Sequence, residues 1–206
     1  KGQNAHACKP DFGVNAIALL MNFLSHLAFR PKAAQEACLA LSQFAQGAFT
    51  GEGFGIACRD EVSGALTITG NTIAGDGHGL QISYDMRWPV TIPLTEIWPK
   101  IEQKAQEAGF TVQQDSQKNP LYLAKDSHLV ATLLKVYGDY MGIADPQPIA
   151  TGGGTYCRAL PGFAAFGPVF EGRAELAHQT DEYMGEEEIL QLAQIYARAI
   201  YALIGV

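Results

Sequence analysis

Residues 64–90 read GALTITGNTIAGDGHGLQISYDMRWPV, and the fold turns on them. Leu66 and Ile68 alternate with polar residues in one run, and Leu80, Ile82 and Tyr84 in another. Strict alternation places every second side chain on one face of a strand. Between the two runs lies AGDGHG (74–79), rich in residues that accept tight-turn backbone angles. Two alternating runs around such a stretch predict a β-hairpin.

On both sides of the hairpin the period becomes helical. DFGVNAIALLMNFLSHLAF (11–29) carries Val14, Ile17, Met21, Leu24 and Leu27 on one stripe. PKAAQEACLALSQFA (31–45) predicts a second helix, with Pro31 suited to its first turn. The stretch from Gly47 to Gly55 is glycine-rich and predicts a loop. Downstream, LTEIWPKIEQKAQEAGF (94–110) predicts a helix with Thr95 as N-cap and Gly109 as its stop. FTVQQD (110–115) predicts a short strand, and DSHLVATLLKVYGDYMG (126–142) a helix ended by Gly142. With KGQNAHA (1–7) as an opening strand, the order is βαββαβ. That is a ferredoxin-like α+β arrangement, an antiparallel sheet with helices on one face. Such a fold hosts many functions and decides none.

Past Pro146 the texture changes. QPIATGGGT (147–155) reads as a short apolar strand entering a glycine loop, and FAAFGPVF (163–170) as a second buried strand. GEEEILQLAQIYARAIYALIG (185–205) predicts a helix with Ile189, Leu192, Tyr196, Ile200 and Leu203 on one face. Its glutamates favour the positive end of the helix dipole. A segment of about 60 residues with so few elements is too small to bury a good core alone. Exposed apolar surface, or a partner covering it, is expected there.

Composition limits the function. The chain has 206 residues, 48% hydrophobic and 17% charged, with net charge −7. That balance excludes a nucleic-acid backbone as partner, which needs clustered Lys and Arg. Nothing approaches the run of roughly 18 apolar residues that spans a membrane. Cys8, Cys38, Cys58 and Cys157 are far apart, with no CxxC pair, and read as reduced thiols. A cytoplasmic location is expected. The opening KGQNAHA lacks a methionine, as a piece of something longer would.

Several residues could carry chemistry. TGGGTYCR (151–158) offers backbone N–H groups unobstructed by side chains, able to cradle a carboxylate or phosphate. It matches neither a P-loop nor GxGxxG, and it reads equally as a turn needing positive φ. His178, in LAHQTDEYMG (176–185), has carboxylate neighbours able to orient an imidazole for a metal, or is an ordinary polar residue. His6 follows the opening strand, where side chains often reach a cleft. Arg87 ends the hairpin beside Trp88, and either grips a carboxylate bidentately or stacks on the indole. His26, His78 and His128 read as structural.

Taken together and in this order, GQNAHACKPDFGVNA, DMRWPV, TGGGTYCRALPGFAAFGPVFEG and LAHQTDEYMGEEEI resemble the dipeptidase V type of zinc metallopeptidase, related to carnosinases, succinyl-diaminopimelate desuccinylase and carboxypeptidase G. The resemblance covers essentially the whole chain. It implies a two-zinc catalytic domain interrupted by a ferredoxin-like lid. Residues 1–145 would be most of the lid, and 146–206 the C-terminal return of an α/β zinc-peptidase domain. It further implies that His178 is a zinc ligand and that His6 polarises the scissile carbonyl. Arg87 would grip the substrate carboxylate, with Gly153, Gly154 and Thr155 lining the same pocket. The reaction implied is dipeptide hydrolysis by a zinc-activated water.

The family's other ligands and its general base lie N-terminal to the lid, and no matching segments occur in this chain. The expectation is therefore a fragment, inactive alone, whose partners are the N-terminal catalytic half and a dipeptide, with a homodimer as a further assembly. Two alternatives stay open. One is a non-catalytic ferredoxin-like module for dimerisation or ligand binding, and the other an amidase relative acting on N-acyl amino acids.

Overall fold

A computed structural model of the chain describes residues 1–3, 5, 10–45, 49–76, 79–151, 153–167, 169–170, 172–173, 176 and 180–205. The elements are α1 (Ala16–Ser25), α2 (Lys32–Phe44), β1 (Arg59–Asp60), β2 (Gly64–Ala65), β3 (Thr67–Gly75), β4 (Leu80–Arg87), α3 (Leu94–Glu107), α4 (His128–Met141) and α5 (Glu186–Ile204). The fold is α+β. Contacts divide it into two compact units, Lys1–Leu121 with Ala150–Gly153, and Tyr122–Ile149 with Gly154–Val206. The helix α4, placed with the first 145 residues by the sequence reading, falls in the second unit.

The hairpin organises the first unit. β3 and β4 pair antiparallel from Thr67↔Arg87 to Gly75↔Leu80, with a register shift between Gly70 and Thr72 that leaves Asn71 as the extra residue. The sequence needs this bulge. Ile68 and Ile73 are an odd number of residues apart, so an unbroken strand would point them to opposite faces. With one residue bulged out, Ile68, Ile73, Ile82, Tyr84 and Met86 all pack against the same core. Met21 of α1, Leu41 and Phe44 of α2, and Ile97 and Ile101 of α3 belong to that core too. Phe54 stacks on Phe44 with centroids 4.5 Å apart and meets Tyr84 edge-on at 5.3 Å. Burial pushes the Tyr84 hydroxyl up to about 12. The opposite strand face carries Thr67, Thr69, Asp85 and Arg87.

Two polar ties fix the edges of this unit. Asn15 caps α1, its Oδ1 accepting from the N–H groups of Ile17 at 2.9 Å and Ala18 at 3.1 Å. Its Nδ2 donates to the Gly70 carbonyl at 2.9 Å, fastening the helix to the strand at the bulge. Asp60 closes the β1–β2 turn by accepting from Ser63 Oγ at 2.9 Å and the Gly64 N–H at 3.1 Å. Its other oxygen accepts from the Thr91 N–H at 3.1 Å and Thr91 Oγ1 at 3.0 Å. Ser63 Oγ accepts in turn from the Val90 N–H at 3.0 Å. The segment directly after β4 is thus bolted to the turn.

The second unit rests on α4 and α5. Leu133, Val136, Phe170, Leu192, Ile195 and Ala199 form its core. Tyr196 donates to the Phe166 carbonyl at 3.1 Å, and a Cβ on Gly167 (φ +79°) would lie 2.2 Å from the Tyr196 hydroxyl. Ser127 caps α4, and Gly142 ends it in the left-handed region, as the sequence predicts for the C-terminal stop.

Other expectations are corrected. Among the described residues of the opening segment the one pairing is the isolated bridge Gln3↔Val14, and 110–115 is not a strand. No strand forms among the described residues of 147–155 or 163–170. Among the described residues of 110–115, 147–155 and 163–170 the apolar pattern finds no neighbouring strand, and an unpaired strand leaves its backbone groups unsatisfied. Thr95 lies inside α3, whose N-cap is Pro93 with no side-chain cap. On α5 the buried line is Leu192, Ile195 and Ala199, while Ile189, Ile200 and Leu203 of the predicted stripe remain exposed.

Asn15→Ala should lower the unfolding free energy by about 1–2 kcal/mol, read in denaturant from Trp88 and Trp98, which both pack on this core. Asn15→Asp retains the cap but has no donor for Gly70, so the remaining loss measures the tie to the strand. Burial raises the Asp60 carboxyl, but hydrogen bonds from Ser63 and Thr91 outweigh it and hold it at about 2. A depressed carboxyl stabilises the fold above its unfolded pKa of about 3.9, and that stability is lost as pH falls through the folded value. The stability gap between wild type and Asp60→Asn should therefore be full at pH 7 and shrink between about pH 4 and pH 2.

Candidate functional site

The site is built on the face of the hairpin turned away from the helices. Asp85 and Arg87 stand two residues apart on β4, on the same face. Arg87 Nη2 donates to Asp85 Oδ2 at 3.1 Å, with the two side chains 36% and 32% exposed. Arg87 Nε is shut off from solvent and has no hydrogen-bond partner among the described residues. A buried guanidinium donor without an acceptor is costly and calls for an explanation. Trp88 turns to the other face and packs on the core. The close charged neighbour of Arg87 is thus a carboxylate, and the stacked alternative is not what forms.

The glycine loop runs between the units, with Gly153 in the first and Gly154 and Thr155 in the second. The Gly153 N–H donates to Thr151 Oγ1 at 3.2 Å. Neither Gly153 nor Gly154 has positive φ, so the turn-forming reading does not account for them. At Gly153 an added Cβ would meet nothing closer than Thr151 Oγ1 at 3.5 Å. At Gly154 it would lie 3.4 Å from Arg158 Nη1, so that guanidinium stands over the bare backbone. Thr155 is extended and starts a short 3-10 turn over Tyr156–Ala159, its hydroxyl against the Cys157 thiol.

His6 and His178 lie outside the described residues. Among the described residues no three His, Cys, Asp or Glu side chains gather closely enough to hold a metal ion. The glutamate run at 186–188 is committed elsewhere. Glu188 Oε2 accepts from the Gly185 N–H at 2.9 Å, and Oε1 pairs with Arg173. The Gly185 hydrogen bond, with help from Arg173 and against burial, lowers its carboxyl. This is helix capping, as the sequence reading has it. Cys38, Cys58 and Cys157 are free thiols, and no helix is long and apolar enough to cross a membrane.

The sequence reading missed Asp85, Asp60 and Arg158. DEVSG (60–64) carries a legible signal, since Asp followed by Ser and Gly favours an Asx-type turn. Its reach to Thr91 is non-local and carries none. Asp85 was visible only once the strand face was known.

A model of the peptidase family M20/M25/M40 matches residues 5–202. The chain is 34% identical over 203 residues to "Putative dipeptidase YtjP" of Bacillus subtilis, covering 98% of this chain and 43% of that protein. It is 29% identical over 204 residues to "Putative dipeptidase SSP1012" of Staphylococcus saprophyticus, with the same coverage. The chain thus spans less than half the length of these relatives. With a single family model covering nearly all of it, the chain belongs to the peptidase family M20/M25/M40.

Proposed function

We propose that this chain is the C-terminal portion of a zinc-dependent dipeptidase and supplies its substrate clamp. The observation that carries the proposal is Arg87, which ends a rigid strand with a buried Nε lacking an acceptor. Its guanidinium is planar and the side chain is about a third exposed, which suits the free carboxylate at a dipeptide's C-terminus. The family and the names of the relatives support peptide-bond hydrolysis.

In this reading residues 1–145 are most of a ferredoxin-like lid, and 146–206 are the return of the catalytic domain. The hairpin with helices on one face is the part of that topology already formed. His6 polarises the scissile carbonyl, Arg87 holds the carboxylate, Gly153, Gly154 and Thr155 line its pocket, and His178 is one metal ligand. The described residues do not by themselves compose a zinc centre, so no hydrolytic step is assigned to them.

The partner is the N-terminal part of the same protein. Exposed apolar residues on α5 support this, with Ile200 58% and Ile204 66% accessible. The location is cytoplasmic. An amidase acting on N-acyl amino acids would use the same arginine, and kinetics on the two substrate classes separate it from a dipeptidase.

The test compares the 206-residue chain with the longer polypeptide that contains it. Chelator-sensitive dipeptide hydrolysis is expected from the longer protein and none from the chain alone. Sustained chelator-sensitive hydrolysis by the chain alone would overturn the reading. Hydrolysis of N-acyl amino acids but not dipeptides by the longer protein would convert it to the amidase.

A further inference from the structure

We infer that the outer side of α1 is a docking face for the stretch of polypeptide that precedes Lys1 in the longer protein. The inference rests on the reading of this chain as the C-terminal portion of that protein. It adds an interface in the first unit to the one that α5 offers in the second.

Ile17, Met21 and Leu24 recur at helical spacing on α1 and pack on the core. The same spacing puts Ala16, Leu19 and Phe23 on the other side, with Leu20 between the two rows. Leu19 is 51%, Leu20 42% and Phe23 61% exposed. No charge interrupts this surface, because residues 12–29 contain no Asp, Glu, Lys or Arg. A helix apolar all round is built to be covered on more than one side. An exchangeable interface would be about as polar as the rest of the surface, so this face suits a permanent contact.

The backbone beside α1 identifies the occupant. Gln3 and Val14 exchange N–H to carbonyl hydrogen bonds of 2.9 Å in both directions, and Val14 directly precedes the N-cap, Asn15. A Cβ on Gly2 would lie 2.5 Å from the Val14 carbonyl oxygen and 3.0 Å from the Ala16 Cβ. The backbone at Gly2 therefore touches the first residue of the exposed row, and polypeptide preceding Lys1 reaches α1 there. This chain matches 43% of the length of its relatives, so the longer protein has ample polypeptide to supply a packed element. The occupant presents an apolar face, since a charge buried against Leu19 and Phe23 would meet no counter-ion. A second copy fits less well. In a two-fold pairing of α1 on α1, each copy's own incoming polypeptide would stand in the contact.

The test places a thiol on the face. Phe23→Cys is made in the 206-residue chain and in the longer protein, and alkylation of the peptide carrying that thiol is followed by mass spectrometry. The longer protein is expected to react at least about ten-fold more slowly than the chain, at a rate independent of protein concentration. Equal rates in the two overturn the inference. So does a rate in the chain alone that falls as its concentration rises, which places a second copy on the face. If Phe23→Cys does not fold, Leu19→Cys on the same row replaces it with the same expectation. Dipeptide hydrolysis is measured in parallel on the unaltered longer protein. Hydrolysis together with an unprotected thiol overturns only the docking. Protection without hydrolysis bears out the docking and overturns the peptidase reading.

Discussion

One residue too many in a strand decides the layout of the first unit. β3 brings nine residues against eight in β4, and the surplus is absorbed at Asn71. Side chains alternate with a period of two, so one uncorrected residue would turn half the strand inside out. Because the bulge falls between Gly70 and Thr72, the isoleucines on both sides of it reach one core. Thr67, Thr69, Asp85 and Arg87 are left together on the other face. Asn15 holds the bulge from outside by donating to the Gly70 carbonyl, and the same side chain starts α1. The helical layer and the polar face are therefore set by one local constraint.

What was legible in the sequence was what is local. The hairpin, all five helices and the Gly142 stop each depend on residues within a turn or two of one another. The outer strands and those expected at 147–155 and 163–170 depend on a partner, and an alternating pattern does not name one. Val112 is accordingly 39% and Ile149 88% exposed. Of the candidate site, Arg87 and its strand were legible from DMRWPV. The acidic residue paired with Arg87, Asp85, lies in the same motif and was passed over, because that pairing depends on which face of the strand the two share.

The second unit shows the same rule acting on a helix. The apolar residues of α5 extend around more of its circumference than one stripe. Packing on α4 uses the line Leu192, Ile195 and Ala199. A helix apolar on several sides is built to be covered on several sides. Ile189, Leu190, Ile200 and Tyr201 are left accessible, on a chain that spans 43% of its relatives' length. The predicted stripe is thus a real apolar face, of which only Leu192 and Tyr196 pack in this unit's core.

The two acidic residues of the first unit act at different distances on the same arginine. Asp85 touches the guanidinium, whereas Asp60 holds the backbone at Thr91, just beyond the end of β4. Side-chain aim has value only if the strand that bears it does not move. A clamp must be held to within about half an ångström to be productive. Ser63 and Thr91 hold the Asp60 carboxyl at about 2, so it stays ionised well below neutral pH. Pro89, fully buried between Arg87 and Thr91, limits the backbone freedom of the short link that joins the two acidic contacts. The end of β4 is thus pinned by a charge that does not titrate near neutrality, and the arginine it carries is paired on one side with Asp85.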